Sequence, residues 1–156
     1  MAETRGTTQL RRAGVEYRLA TYSYPGAGAA AEHAAQAVGV EPARMFKSLV
    51  AAAGEQLVFA LVPATAELSL KKLAVAAGTK QARMADPRDA ERATGYQVGG
   101  ISPLGSRRRL RVFVDRSALD HERICLNAGG RGAIVEVATA ELVSLLDALP
   151  ADLAQW

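Results

Sequence analysis

Cys125 is the only cysteine in a chain of 156 residues, so no intramolecular disulfide can form and the fold must rest on packing. Histidine is almost as scarce, with only His33 and His121. A metal centre needs several His, Cys or carboxylate ligands converging in space. No paired-ligand spacing occurs here; His121 and Cys125 are four apart, but the residues between them read as a helix-to-strand change. Neither a metal nor a cofactor is expected. Aromatic residues make up 5% of the chain, so the core must be built from Ala, Val, Leu and Ile. No apolar run approaches the ~20 residues that span a bilayer, and no membrane partner is expected. The start, Met-Ala-Glu-Thr-Arg, lacks the charged-then-apolar pattern of a signal peptide, and the expected compartment is the cytoplasm. Absent too are a Gly-x-Ser-x-Gly elbow, a P-loop and a Gly-x-Gly-x-x-Gly turn, which removes sequence support for an α/β-hydrolase triad or a nucleotide site.

What is present describes an ordinary globular chain with a mildly basic balance. The length fits one domain, which buries roughly 70% of its unfolded surface. The net charge of +3 and pI of about 9.3 permit an anionic partner such as nucleic acid without requiring one. Segments of helical and strand period alternate, which points to a mixed α/β class. Thr7 or Thr8 is placed to cap a first helix ending near Gly14, and Val15 to Tyr22 alternates as a strand. Tyr24-Pro25-Gly26-Ala27-Gly28 reads as a flexible connection. Ala29 to Val38 is helical, with Gly39 after it. Met45–Ala53 and Gln56–Val62 form a hairpin around Gly54-Glu55. Ser69 caps a helix over Leu70–Ala77, and Lys80–Met84 is a short strand. Asp86-Pro87 opens a helix to about Ala93. Leu110–Val114, Arg123–Leu126 and Ala133–Val137 are strands. Thr139 is read as the cap of a last helix over Ala140–Leu149, stopped by Pro150. These elements predict a single domain with one curved, barrel-like mixed sheet of about seven strands and short flanking helices.

Three features carry candidate chemistry. Cys125 lies in an apolar strand, Ile124-Cys125-Leu126, which favours a buried small hydrophobe over a nucleophile. Lys47 sits inside Met45-Phe46-Lys47-Ser48-Leu49-Val50. A lysine in an apolar strand is costly to bury unless it meets an anion or a cavity. The pattern alone balances that reading against a place on the solvent face. The third feature runs from Thr94 to Gly105. Its glycines, Gly99, Gly100 and Gly105, let backbone approach a ligand and aim amides at it, as an oxyanion site in acyl transfer requires. An ordinary turn-rich loop is the competing reading.

These segments together resemble the YbaK/EbsC family of Cys-tRNA(Pro) deacylases, related to the inserted editing domain of prolyl-tRNA synthetase. The matching stretches are Phe46-Lys47-Ser48-Leu49, Leu68-Ser69-Leu70-Lys71-Lys72-Leu73-Ala74 and Met84-Ala85-Asp86-Pro87. Then come Thr94-Gly95-Tyr96-x-Val98-Gly99-Gly100-Ile101-Ser102-Pro103-Leu104-Gly105 and Gly129-Gly130-x-Gly132. The resemblance covers nearly the whole chain, and the Thr94–Gly105 run is its most specific part.

The resemblance implies deacylation of mischarged tRNA without a metal. It implies Lys47 as the key functional residue in the pocket for the aminoacylated 3′ end. It places Gly99 and Gly100 beside the scissile ester, with Tyr22 in the same pocket. Gly100 and Ile101 are expected to offer backbone amides, and a β-branched residue at 100 is expected to block the pocket. Ser48 and Ser102 are expected to orient substrate. Arg107, Arg108 and Arg109 are candidates for acceptor-stem phosphates, with a solvated loop as the equal alternative. The implied partner is aminoacyl-tRNA, through its 3′ CCA end and acceptor stem, with prolyl-tRNA synthetase as a further candidate. Ala30 and Ile134 depart from close relatives that carry an aromatic and an acidic residue near those positions. Both departures bear on which small amino acid is removed. Two alternatives compete with the deacylase: a non-catalytic aminoacyl-tRNA or synthetase binding module of the same fold, and a hydrolase or regulator acting on a small molecule such as a free aminoacyl ester.

Overall fold

In the first helix, α1 (Arg5–Arg12), Thr4 Oγ1 accepts the Thr7 N–H at 3.0 Å while Thr7 Oγ1 accepts the Thr4 N–H at 2.9 Å. Thr4, rather than Thr7 or Thr8, is therefore the cap, and Thr7 completes the reciprocal pair from inside the helix. This computed structural model describes residues 3–26 and 31–156. The expected connection through Ala27 and Gly28, the expected helix start at Ala29 and the departure at Ala30 lie outside the described residues. Strand β1 (Tyr17–Thr21) and helix α2 (Ala31–Val38) follow, and Gly39 closes α2 at φ 74°. After a 3-10 turn at Pro42–Arg44 comes the hairpin β2 (Phe46–Ala53) and β3 (Gln56–Pro63), turned by Gly54. Then come β4 (Glu67–Leu68), α3 (Leu70–Ala77), β5 (Ala82–Met84) and α4 (Pro87–Thr94). Ser69 Oγ accepts the Lys72 N–H at 3.2 Å and Asp86 Oδ1 accepts the Arg88 N–H at 2.9 Å, so both helices begin where their caps predict. The chain continues with β6 (Arg111–Asp115), a 3-10 turn at Arg116–Asp120, β7 (Arg123–Asn127) and β8 (Ala133–Ala138). It ends in α5 (Thr139–Leu146), β9 (Leu149–Ala151) and β10 (Ala154–Gln155).

The last helix differs from its expected form. Thr139 lies inside α5, and its hydroxyl donates to the His121 carbonyl at 2.7 Å instead of capping. The helix stops at Leu146, where Asp147 turns left-handed at φ 53°. Leu149 and Pro150 then belong to β9, an edge strand parallel to β6, where a missing proline N–H is tolerated.

The described residues form ten strands in three sheets, not about seven in one. The largest sheet is mixed, in the order β5-β2-β3-β6-β9; β1-β8-β7 is antiparallel, and β4 pairs with β10. A parallel bridge between Met45 and Cys125 ties the first two together. Among the described residues no pairing closes a barrel. The mixed sheet is covered on both faces, which is why β3 reads as a near-continuous apolar run. Phe59 and Leu61 join one core with α1, α4 and α5, while Val58, Ala60 and Val62 pack with Leu73 of α3 and Leu153. A third, smaller cluster sets Ala34 and Ala35 of α2 against Met45, Cys125 and Ile134. The candidate site lies beside this cluster.

Candidate active site

A cavity of about 380 Å³ opens between β2, the Met84–Ala90 corner and the Val98–Ile101 loop. Period-2 alternation puts Lys47 on the same face of β2 as Leu49 and Ala51. That face is not open to solvent: Lys47 is 21% exposed, and it lines the cavity. Its ammonium stands 3.8 Å from Glu67 Oε2, a carboxylate that is 84% exposed. So loose and wet a pair contributes little and leaves the cation available to an anionic group. Beside it, the Ser48 hydroxyl oxygen is buried and has no hydrogen-bond partner among the described residues. An unpaired buried hydroxyl carries a desolvation cost.

The opposite wall is the glycine loop. Gly99 lies at φ 95°, and a side chain there would strike the Tyr24 hydroxyl and ring. Both Gly99 and Ile101 line the cavity, and among the described residues neither amide donates to a protein acceptor. Gly100 behaves differently. Its N–H is spent on the Gln97 carbonyl at 2.9 Å, and its carbonyl accepts the Gly130 N–H at 2.8 Å. A Cβ at 100 would meet Arg131 N and Gly130 C at 2.6 Å, outside the cavity lining. Gly100 is therefore the joint between two glycine loops. The expectation that it offers an amide, and that a larger residue there fills the pocket, is corrected: its amide is bonded within its own loop, and its Cβ direction points into the second glycine loop.

The second loop, Gly129-Gly130-Arg131-Gly132, is seated by Asn127, whose Oδ1 accepts the Gly129 N–H at 2.6 Å while its Nδ2 reaches the Gly99 carbonyl at 3.5 Å. Tyr22 N–H donates to the Gly132 carbonyl at 2.9 Å, which brings Tyr22 to the cavity. Burial, and then the neighbouring Tyr24, push the Tyr22 phenol above its ordinary pKa, so it remains a neutral donor. Apart from Tyr24 and Asn127, the remaining lining is apolar and includes Ala34, Met45, Phe46 and Ile134. The cavity thus brings the Lys47 cation, the Ser48, Gly99 and Ile101 positions and an apolar wall together.

The aminoacyl-tRNA editing domain matches residues 26–145 of this chain. The chain belongs to that family. A protein of Enterococcus faecalis, EbsC, is 35% identical over 132 residues, covering 84% of this chain and 80% of that one; it carries the provisional name of a Cys-tRNA(Pro)/Cys-tRNA(Cys) deacylase. A proline–tRNA ligase of an Anaeromyxobacter species is 35% identical over 94 residues, 60% of this chain but only 16% of that much longer protein. A crystal structure described provisionally as a trans-editing enzyme for prolyl-tRNA synthetase superposes with a TM-score of 0.83. At 28% identity, that superposition covers 97% of this chain and 96% of the other.

Other expected site residues of this editing domain lie apart from the cavity. Ser102 is fully buried, and its Oγ accepts the Leu104 N–H at 3.1 Å, which closes a turn within the loop. It shapes the loop rather than reaching the cavity. Arg107, Arg108 and Arg109 are exposed. The Arg107 and Arg108 N–H groups bond the Thr94 and Ala93 carbonyls, each at 2.9 Å, sewing the loop to the end of α4. Arg109 lines a different cleft of about 840 Å³ under α1 and α5, with Arg5, Arg12 and Phe59. Cys125 is buried, and burial, reinforced by Glu136, raises its thiol to about 11. Such a thiol is inert. Among the described residues no cluster of His, Cys, Asp and Glu is arranged to hold a metal ion, and no helix is long and apolar enough to cross a membrane.

Sequence reasoning missed Tyr24 and Asn127. Tyr24 reads as the start of a loose connection, yet Tyr22 and Tyr24 alternate with exposed residues and both line the cavity. That two-residue spacing was the available signal. Asn127 gave none, because its role depends on a loop distant in sequence.

Proposed function

We propose that this chain is a trans-editing aminoacyl-tRNA deacylase that removes a small mischarged amino acid, with Cys on tRNA-Pro the first substrate to test and Cys on tRNA-Cys the second. The chain acts as one editing domain over residues 1–156. The observation that carries this reading is that Lys47, Ser48, Gly99, Ile101 and Tyr22 line one cavity, with no protein acceptor for the Gly99 and Ile101 amides among the described residues. The names of its relatives, a Cys-tRNA deacylase and a prolyl-tRNA synthetase, point the same way.

In the proposed mechanism the 3′ CCA end enters the cavity with the amino acid against Met45 and Ile134. For a cysteinyl ester, the substrate thiol attacks its own carbonyl carbon. The new S–C bond forms as the C–O bond to the ribose breaks. The thiol proton ends on the leaving ribose oxygen, and the amino acid departs as a cyclic thiolactone. No enzyme nucleophile is needed, which suits a buried Cys125. Alignment of the reacting groups contributes roughly 7–11 kcal/mol. An amide donor on the developing oxyanion, from Gly99 or Ile101, contributes about 3 kcal/mol. Lys47 holds the 3′ end and offsets charge near the ester, and Ser48 and Tyr22 supply hydroxyls for orientation. A bound water serves as nucleophile for amino acids without a thiol. The acceptor stem lies along the outer surface, where Arg107, Arg108 and Arg109 meet its phosphates, and prolyl-tRNA synthetase is the partner expected to present the tRNA.

The test is deacylation of Cys-, Ala- and Ser-tRNA-Pro and Cys-tRNA-Cys by the wild type and by Lys47→Ala. Loss of one amino acid by the wild type, abolished in a folded Lys47→Ala variant, supports the reading and names the substrate. Near-normal activity of the variant removes Lys47 from the site. No turnover on any substrate, with tRNA binding intact, leaves a binding module of the same fold.

A further inference from the structure

Val98 is 45% exposed, so packing does little to hold its backbone. Instead it is gripped from two sides by charged side chains. Its N–H donates to Glu91 Oε2 at 2.8 Å. Its carbonyl accepts two N–H groups of one guanidinium, from Arg131 Nε at 3.0 Å and Nη2 at 2.9 Å. Two charge-assisted donors converging on one oxygen fix its direction as a single neutral bond does not. The same guanidinium lies over the Tyr24 ring, with its Cζ 4.9 Å from the centroid. Tyr24 in turn occupies the space where a side chain at 99 would stand.

The Val98 carbonyl and the Gly99 N–H belong to one peptide unit. That unit is planar and trans, so the oxygen and the hydrogen point in opposite directions. Whatever fixes the oxygen fixes the hydrogen. A cation on the oxygen also draws electron density across the amide and makes its N–H a stronger donor. Gly129, Gly130 and Gly132 already shape the second loop through their positive φ angles, so loop geometry makes no demand for arginine at 131.

We propose that Arg131 is a positioning residue for the deacylation reaction: by chelating the Val98 carbonyl it aims and polarises the Gly99 amide toward the reacting ester. This rests on the deacylase reading above. Arg131 itself does not touch the substrate; it acts through the peptide bond.

The experiment compares wild type, Arg131→Ala and Arg131→Lys on the mischarged tRNA that the wild type edits best. Arg131→Ala is expected to lower kcat roughly 10- to 100-fold, somewhat less than outright loss of an oxyanion donor, with KM within about twofold. Arg131→Lys, with one donor at a time and no planar fork, falls between the two. Added guanidinium ion restores part of the alanine variant's kcat. A raised KM with unchanged kcat would overturn the proposal and make Arg131 a phosphate contact. A second readout is independent of turnover. In 15N–1H spectra of Arg131→Ala, the Gly99 amide signal is expected to shift and broaden while signals outside the two glycine loops superpose. An unmoved Gly99 signal overturns the positioning role. If the wild type edits none of the substrates, the deacylase reading fails by itself, and the Gly99 signal still decides whether Arg131 orients that amide.

Discussion

Replacing Gly100 with alanine tests the joint between the two glycine loops. The added Cβ would stand 2.6 Å from both Arg131 N and Gly130 C, and 2.8 Å from Gly130 Cα. All three are backbone atoms, so no flexible side chain can swing away. Ordinary contact begins near 3.4 Å, and the loops must part by close to an ångström. Overpacking of this kind costs about 1–3 kcal/mol. Parting also stretches the Gly130 N–H to Gly100 carbonyl bond, now 2.8 Å, worth about 1 kcal/mol. The sum of about 2–4 kcal/mol corresponds to a fall of about 4–16 °C in Tm for a domain of this size. Deacylation falls as well, because the same displacement carries Gly99 and Tyr22 away from Lys47. Gly130 is the control. A Cβ there meets nothing within 4 Å, so its alanine variant suffers only from φ 97°, a cost of about 1–3 kcal/mol without separation of the loops. Calorimetry and single-turnover deacylation on both variants check the reasoning. A Gly100→Ala protein with wild-type Tm and wild-type rate would refute it.

Cys125→Ser is expected to retain deacylation, and wild-type Cys125, with its thiol raised to about 11, to resist iodoacetamide at about pH 8 while folded. Mass spectrometry after alkylation and an activity assay on the variant decide both points. Asp115 is buried at the foot of β6, and its carboxylate accepts the Ser117, Leu153 and Ala154 N–H groups at 2.8–3.1 Å. Burial alone would raise its pKa, but these hydrogen bonds outweigh it and leave the value below the ordinary one. The carboxylate therefore contributes stability above its unfolded pKa of about 3.9, and that contribution is lost as pH falls through the lower folded value. Asp115→Asn is expected to cost about 1.5–3 kcal/mol at neutral pH and progressively less below about pH 4. Urea midpoints that differ equally at neutral and acid pH would contradict this. Changing Arg107, Arg108 and Arg109 together to Ala is expected to weaken tRNA binding and to lower the log–log salt slope by about 1 for each phosphate no longer neutralised. An unchanged slope would mean a solvated loop.

Local chemistry made much of this protein legible from its sequence. The Ser69 and Asp86 caps, the glycine after α2 and the Gly54 turn each act within a few residues, so a reader of the chain can see both partners of every interaction. The resemblance across Thr94–Gly105 and Gly129–Gly132 likewise pointed to the family. Strands β4, β9 and β10 were invisible because two or three residues hold no periodicity; only their partners in space define them. The site divided along the same line. That Lys47 is unusual in an apolar strand is a property of the sequence, but that it lines a cavity depends on segments brought to β2 from elsewhere in the chain, among them Tyr22, the Met84–Ala90 corner and Ile134. That the Gly100 carbonyl is spent on the Gly130 N–H depends on a loop about thirty residues away, held by Asn127 and Arg131. Hydrogen bonds at that separation leave no pattern along the chain. The sequence by itself determined the class of elements, the absence of an intramolecular disulfide and the family, because each rests on residue identity or near neighbours. Only the tertiary structure decided which amides are free, which arginines lie far from the cavity and which side chain orients the glycine loop, because each depends on segments that the chain alone does not bring together.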